Sequence, residues 1–490
     1  MEVLFANKPS ENSLLVYPVF AKKKVADLAL NKLVARLAAA KEFACKIGQT
    51  FFVLNGEGSS QGIILLGLGE AKELDVPNIM DAFGTAGKSA GNHHPAKLSI
   101  FIPEELHKYA QEIAEAIVLS NYQPAAPYKT GESQTELREN SIKSMEVTGL
   151  GKNEAAQNAF RKGIQIAEIV NEARMWVNTP PNIANTDFFR RKSKEIAREI
   201  HAKLKILRRR KLRKLNMWTF LGVNRGSPDE AHLITLDYCP KGVSRDEAPT
   251  VLVGKGVIFD AGGYNLKPRG SIEDMHLDKA GAVAVLSLMR LLPKLGIKKH
   301  IVCVTPFTEN LIGQNAYKPS EILKTHLGKT VEITNTDAEG RLILGEAISY
   351  AVEKFKPAAI VDLATLTGAC MIALGDRYAG LFGNDKALIE NLRSAGDETD
   401  ELLWQLPIHK DYADKMKGQF ADLRNSETGS ERFAGASKGA AFIREFVGKT
   451  KWAHIDIAGP AFTTDPKKYE QKGATGFGVR LLARFMENLK

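Results

Sequence analysis

"NTDAEGRLILGEAISYAVEKFKPAAIVDLATL", Asn335–Leu366, carries three patterns in one run. Asp337 and Glu339 stand two apart, with Gly340 and Arg341 directly behind them. From Gly340 to Phe355 the apolar residues recur at helical spacing, and from Ala358 to Leu366 they form one apolar run of strand length. A loop, a helix and a buried strand in succession mark an α/β unit.

The alternation continues on both sides. "PTVLVGKG" reads as a strand, "DKAGAVAVLSLMRLLPKLG" as a helix, and "HIVCVTPF" and "WAHIDIAG" as further strands. Continuous apolar strands suit a sheet covered on both faces. The N-terminal part shows the same mixture: "FFVLNG", "GIILLGLGE" and "AKLSIFIP" read as strands and "YAQEIAEAIVLSNY" as a helix. A polar stretch, Gln123–Lys143, reads as a surface loop. "NEAAQNAFRKGIQIAEIVNEARMWVN", Asn153–Asn178, keeps helical spacing for about seven turns until "NTPPN" stops it. The expected fold class is α/β. A smaller N-terminal α/β domain (1–150) is joined by a long helix (151–178) to a larger α/β domain (179–490) with a mixed sheet covered by helices.

The bulk properties narrow the function classes. The chain has 490 residues, 44% hydrophobic and 25% charged, as expected of a globular protein with more than one domain. The longest apolar stretch, Ala358–Gly375, is broken by Asp362, so no membrane span is expected. The first twenty residues lack the basic start, apolar core and small-residue cleavage site of a secretory signal. Cys45, Cys239, Cys303 and Cys370 form no CxxC pair and lie in or beside apolar runs. They read as reduced, buried thiols of a cytoplasmic protein.

Charged residues gather where strands should end, which is where open α/β sheets bind ligands. Lys255 follows "TVLVG", Asp260 closes "KGVIFD", and Lys267 comes next. Asp278 precedes one helix, and Asp337 and Glu339 precede another. Taken alone, Asp278 reads as a helix N-cap and Lys255 as a solvated turn residue. Together, four carboxylates repel unless cations neutralise them. In an extended segment Asp337 and Glu339 would point to one side and reach a common ion. Two divalent ions about 3.5–4 Å apart can polarise a carbonyl and activate a water. Zn, Mn, Mg and Co all suit such a donor set.

"VGKGVIFDAGG", "NTDAEGRLILGEA", "DLATLTGA" and "GATGFGVRLL" together resemble the leucyl aminopeptidase family of dinuclear-metal exopeptidases, with "NTDAEGRL" as its signature octapeptide. The resemblance is strong from about Asn178 onward. It implies removal of N-terminal residues, leucine and other apolar ones foremost, from peptides. It implies one metal held by Asp260, Asp337 and Glu339, and a second, Zn or Mn first among the choices, held by Lys255, Asp260, Asp278 and Glu339. It further implies that Lys267 polarises the substrate, that Arg341 holds a bicarbonate acting as general base, and that Met275 walls the S1 pocket. A homohexamer of two stacked trimers is the family's assembly. Some positions depart from the family. Ile258 and Ala261 replace hydroxyl residues, and Met275-His276-Leu277-Asp278-Lys279 replaces a pattern close to Met-Lys-x-Asp-Met. Lys279 would put a positive charge beside a metal ligand. His93 and His94 sit in a polar turn, His276 matches no family ligand, and His454 reads as a core residue of a strand.

One feature lies outside this constellation. Net charge is +10, and residues Asp187–Lys214 hold thirteen Lys or Arg against three acids, the chain's entire surplus. The segment reads as a strand, a turn and a short helix with its cations outward. It is either a solvated face or a patch for weak, sequence-independent DNA binding. The alternative to a peptidase is therefore a nucleic-acid-binding or structural family member with weak or no activity.

Overall fold

The computed structural model describes residues 1–11, 13–25, 27–54, 62–124, 128–131, 142–427 and 433–489. Residues 125–127 and 132–141 of the polar stretch lie outside the described residues. Two compact units emerge: Met1–Asn171 with Thr464–Gly473, and Glu172–Thr463 with Ala474–Lys490. Among the described residues no helix is long and apolar enough to cross a membrane.

The first unit has a six-stranded sheet. Its strands are β1 (Glu2–Phe5), β2 (Leu14–Val19), β3 (Thr50–Val53), β4 (Ile63–Gly67), β5 (Leu98–Phe101) and β6 (Ser144–Thr148), in the order β1-β6-β5-β2-β4-β3. All pairs are parallel except β3 with β4. Helices α1 (Leu28–Ala39), α2 (Val76–Gly91) and α3 (Ala110–Ser120) connect them. Asp75 starts α2 by accepting the backbone N–H of Asn78, and Pro77 follows where a missing donor costs nothing. The long helix expected from periodicity is α4 (Glu154–Asn178), which contains the boundary between the units.

The second unit is built on a nine-stranded mixed sheet. After α5 (Thr186–Glu199) come β7 (Lys203–Leu207), α6 (Arg209–Lys214), α7 (Trp218–Asn224), β8 (His232–Tyr238), β9 (Thr250–Gly254) and β10 (Gly256–Asp260). They are followed by α8 (Ala280–Lys294), β11 (Ile301–Asn310), the short β12 (Ile322–Lys324) and β13 (Thr330–Glu332), α9 (Gly340–Phe355) and β14 (Ala359–Ala364). Next are α10 (Gly368–Leu374), β15 (Ala379–Gly383), α11 (Lys386–Thr399), β16 (Leu403–Gln405), β17 (Leu423–Arg424), α12 (Gly435–Arg444), β18 (Lys451–Asp456) and α13 (Val479–Asn488). The order is β16-β15-β18-β14-β9-β11-β8-β7, with β10 paired to β11. The central strands β18, β14, β9 and β11 are parallel, so their carboxyl ends lie on one edge.

Alternation along the strands divides the core. Val251 and Val253 of β9, Val302 and Val304 of β11, and Ile360 and Ala364 of β14 pack into one cluster with Leu342, Ile343 and Ile348 of α9 and Phe442 of α12. Helix α8 packs on β9, β11 and β14 and against α13. Burying a side chain of this size contributes about 1.5–3 kcal/mol, so these strands and the helices that cover them hold the unit together. Lys255 separates β9 from β10, and β10 leaves β9 to pair with β11.

Candidate functional site

Lys255 leaves the end of β9, Asp260 is the last residue of β10, Asp278 precedes α8, and Asp337 and Glu339 precede α9. The loops between them are tied together. Asp260 Oδ1 accepts the Gly262 N–H at 2.9 Å and the Asn310 amide at 2.7 Å. Gly262 has φ +86°, and a Cβ there would lie 2.4 Å from the Asn265 carbonyl oxygen, so glycine alone makes this turn. The turn brings Lys267 back, its N–H donating to Ala261 O. The Thr336 hydroxyl donates to Gly262 O at 2.6 Å, and its N–H donates to Asn265 Oδ1 at 2.8 Å. The loop of Asp260 and the loop of Asp337 are thus one cross-linked structure.

Asp337 and Glu339 converge by a turn, not by the extended backbone expected from their spacing. The Asn335 side chain accepts the Asp337 N–H at 2.8 Å, and Asn335 O accepts the Ala338 N–H. The N-cap reading of Asp278 does not hold either. Lys279 occupies that position, and no side-chain cap bond is made. Asp278 Oδ1 instead accepts the Thr365 hydroxyl at 2.5 Å.

All six charged groups meet. The Lys255 ammonium lies 2.8 Å from both Asp278 Oδ2 and Glu339 Oε1, and donates to Thr365 O at 2.8 Å. The Lys267 ammonium lies 3.0 Å from Asp260 Oδ2 and 2.7 Å from Asp337 Oδ1. A Cβ at Gly340 would lie 2.7 Å from Lys255 Cε, so the glycine after Glu339 makes room for the lysine. Lys255, Asp260, Asp278 and Glu339 are buried, whereas Lys267 and Asp337 are partly open.

Burial disfavours every charge here, and the neighbours decide each outcome. Burial would lower the Lys255 ammonium, but Asp278, Glu339 and Asp260 outweigh it and hold it above its usual value. Asp260 and Asp337 do the same for Lys267. Burial, with Asp260 and Glu339 adding to it against Lys255, pushes Asp278 up to about 8. Burial and Asp260 push Asp337 up to about 7. Burial and Glu339 also raise Asp260, whereas Lys255 and Lys267 overcome burial and bring Glu339 below the usual range.

This donor set fits divalent cations. One oxygen each from Asp260, Asp337 and Glu339 lies within 4.8 Å of the others. Asp278 Oδ2, Asp337 Oδ1 and Glu339 Oε1 are buried and face ammonium groups, yet none has a donor aligned on it as a hydrogen bond. Acids that raise one another's pKa are relieved by added positive charge.

Arg341 is buried in the first turn of α9 and donates to Asn425 O at 2.8 Å. Met275 is half-buried in a short 3-10 turn, Met275–Leu277. Ile258 and Ala261 are buried on β10 and just after it. Lys279 neither reaches solvent nor makes an ion pair among the described residues. It is fully buried, and its ammonium donates to the carbonyls of His276 and Thr179. His454 is a core residue of β18, with its Nδ1 on the Asp362 carboxylate at 2.6 Å. His93 stacks on Phe52 in the first unit.

Two contributors escaped sequence reasoning. Thr365 lies in "DLATLTGA", where nothing in its local pattern marks it, and it touches both Asp278 and Lys255. Asn310 ends β11 and holds Asp260. The strand-end criterion that found the acids would also have found Asn310.

The chain is similar to known proteins over most of its length. The model of the cytosol aminopeptidase family, catalytic domain, matches residues 171–483, and that of its N-terminal domain matches 16–126. A probable cytosol aminopeptidase of Geobacter sulfurreducens is 37% identical over 98% of this chain and 94% of its own length. Its counterpart in Brucella ovis is 36% identical over 93% and 90%. Among solved structures, the bottromycin maturation enzyme BotP in complex with Mn superposes with a TM-score of 0.86 at 25% identity, covering 98% of this chain and all of BotP.

Proposed function

The chain belongs to the cytosol aminopeptidase family, and on that premise we propose that this aminopeptidase removes leucine and other apolar N-terminal residues at a two-metal site. The family is metal-dependent. The observation that carries the two-metal reading is the meeting of Asp260, Asp278, Asp337 and Glu339 around Lys255 and Lys267. Asp260, Asp337 and Glu339 would hold one ion. Asp278, the shared Asp260 and Glu339, and Lys255 as a neutral amine, its proton displaced by the added positive charge, would hold the other. BotP was solved with Mn, which makes Mn the first ion to test, with Zn next and Mg or Co after. Bound ions of this kind supply a polarised carbonyl and an activated water.

The chain's own residues do the rest. Lys267 is the more open of the two lysines, so its ammonium can face the scissile carbonyl and stabilise negative charge gathering on that oxygen. Arg341 stands in the first turn of α9, where the helix dipole favours a small anion such as bicarbonate. Such an anion would take the proton from the attacking water. Met275, half-buried beside Asp278, would wall the pocket for the N-terminal side chain. Metal-dependent hydrolysis of leucine anilide by the purified protein tests the reading. Activity unchanged after chelation and dialysis would sink it.

Three further parts belong to this proposal. A homohexamer is supported by exposed Tyr264, Leu266, Met371 and Ile372 near the site loops, and light scattering decides it. A cytoplasmic location is supported by four free cysteines. Weak DNA binding through 187–214 is supported by the eight cations between Lys203 and Lys214, all exposed, of which only Arg208 makes an ion pair among the described residues.

A further inference from the structure

Asp456 ends β18 beside Ala364, the last residue of β14. It is fully buried and touches none of the six charged groups of the site. Its Oδ1 accepts the Leu366 N–H at 3.1 Å, the Thr367 N–H at 3.4 Å and the Ala458 N–H at 3.2 Å. Its Oδ2 accepts the Thr367 hydroxyl at 2.7 Å. A carboxylate only accepts, so it suits a cluster of four donors.

Three of those donors belong to the segment Thr365–Thr367, which leaves β14 and crosses the site. The other side of that segment is committed to the metal-binding groups. Thr365 gives its hydroxyl to Asp278 and takes the Lys255 ammonium on its carbonyl. Asp278 and Lys255 belong to one proposed ion only, whereas Asp260 is held by Asn310 and the loop of Asp337 by Asn335 and Thr336; Glu339, shared by both ions, pairs with Lys255.

We propose that Asp456 is a positioning residue for one of the two metal positions: it anchors Thr365–Thr367 so that Thr365 orients Asp278 and Lys255. This rests on the two-metal reading above. Removing Asp456 frees the segment and lets Asp278 and Lys255 turn, while Asp260 and Asp337 keep their own supports and Glu339 stays fixed at the start of α9. Partners that orient a ligand are commonly worth 10–100-fold in metal affinity.

The test is titration of metal-free protein with Mn²⁺, comparing wild type with Asp456→Ala, Asp456→Asn and Thr365→Val, each checked for a native near-ultraviolet circular dichroism spectrum. The expected result is a loss of roughly tenfold or more in the weaker Mn²⁺ affinity in Asp456→Ala and Thr365→Val, with the tighter one kept. Asp456→Asn retains an acceptor for the backbone N–H groups and should recover most of the loss. If Asp456→Ala does not fold, Thr365→Val decides, because it keeps the anchor and deletes only the hydroxyl on Asp278. Folded variants with lower melting temperature but unchanged Mn²⁺ affinities would mean that Asp456 is merely structural and overturn the proposal. Wild-type protein that takes up no Mn²⁺ would overturn the metal reading itself, and this inference with it.

Discussion

Lys255 and Glu339 meet ammonium to carboxylate over 2.8 Å, and both are almost wholly buried. Neither charge has water to fall back on, and deleting Glu339 leaves Asp278 as the carboxylate still paired with the Lys255 ammonium. Glu339→Ala is therefore expected to abolish hydrolysis of leucine anilide, to lower metal content and to lower the melting temperature. Elemental analysis of the dialysed variant checks this. A full complement of metal would show that Glu339 is not a ligand.

Lys267 and Arg341 are expected to behave differently. Lys267→Ala and Arg341→Ala should keep bound metal while losing roughly 10–1000-fold in kcat, because each acts on developing charge or on proton transfer. Steady-state kinetics beside metal analysis separates the two effects. Metal loss in the Lys267 variant would mean that its ion pairs with Asp260 and Asp337 matter more for holding ligands than for catalysis.

Lys279 reverses an expectation. Its position next to Asp278 suggests a cation competing with the metal, and removal of such a charge should help by about 1 kcal/mol. The ammonium in fact turns to the carbonyls of His276 and Thr179. Lys279→Met should then change Mn²⁺ affinity by less than about threefold, under 1 kcal/mol. A gain of tenfold or more in a titration would restore the electrostatic reading.

Glu346 of α9 supplies a pH dependence away from the metal ligands. Burial pushes its carboxyl up to about 7, although Thr219 and the His326 N–H donate to it. A folded pKa above the unfolded one means that the folded state binds more protons between about 4.5 and 7. This contribution to stability is fully present below about pH 4.5, is lost as pH rises to about 7, and is flat beyond. The difference in unfolding free energy between wild type and Glu346→Gln should therefore fall from pH 5 to 7. A difference that stays level in urea titrations would show an ordinary carboxylate.

The basic run should bind duplex DNA weakly, with affinity falling steeply as salt rises. Replacing Arg209, Arg210 and Lys211 by Ala should reduce the slope of log affinity against log salt by about 3 and leave peptidase activity intact. Arg208 is a poorer choice, because Glu230 already neutralises it. Absence of retention on DNA at about 50 mM salt would leave the run a solvated face.

What could be read from the chain, and what could not, follows from the range of the forces involved. Helix α9 runs from Gly340 to Phe355, as its spacing indicates, because periodicity and burial of one face are local properties. The acids were recognisable because each sits at a strand end or before a helix. Their mode of convergence was not, since the turn at Asp337 depends on the Asn335 side chain and on Thr336 bonding to Gly262, more than seventy residues away. The separate strand β10 is hidden for a similar reason: it owes its existence to pairing with β11, not to its own composition. Nor does any local pattern indicate that Thr464–Gly473 groups with the first unit. The contacts of Lys279 are not legible either, because sequence supplies a charge but not the direction in which it points.

The position of β7 has a consequence for the free chain. It is an outermost strand of the large sheet, paired with β8 on one side only. An uncapped row of backbone N–H and C=O groups invites a strand from another molecule, the first step toward fibrous aggregates. Lys203 and Lys205 stand exposed on that strand, and Arg209 and Arg210 follow it closely. An incoming copy would have to bring its own cations against these and strip water from both sets. The opposite edge, β16, is only three residues long and offers little to grow on. Whatever the basic run binds, its cations oppose growth of the sheet by addition of further copies, and Lys203→Val with Lys205→Val is expected to remove that guard.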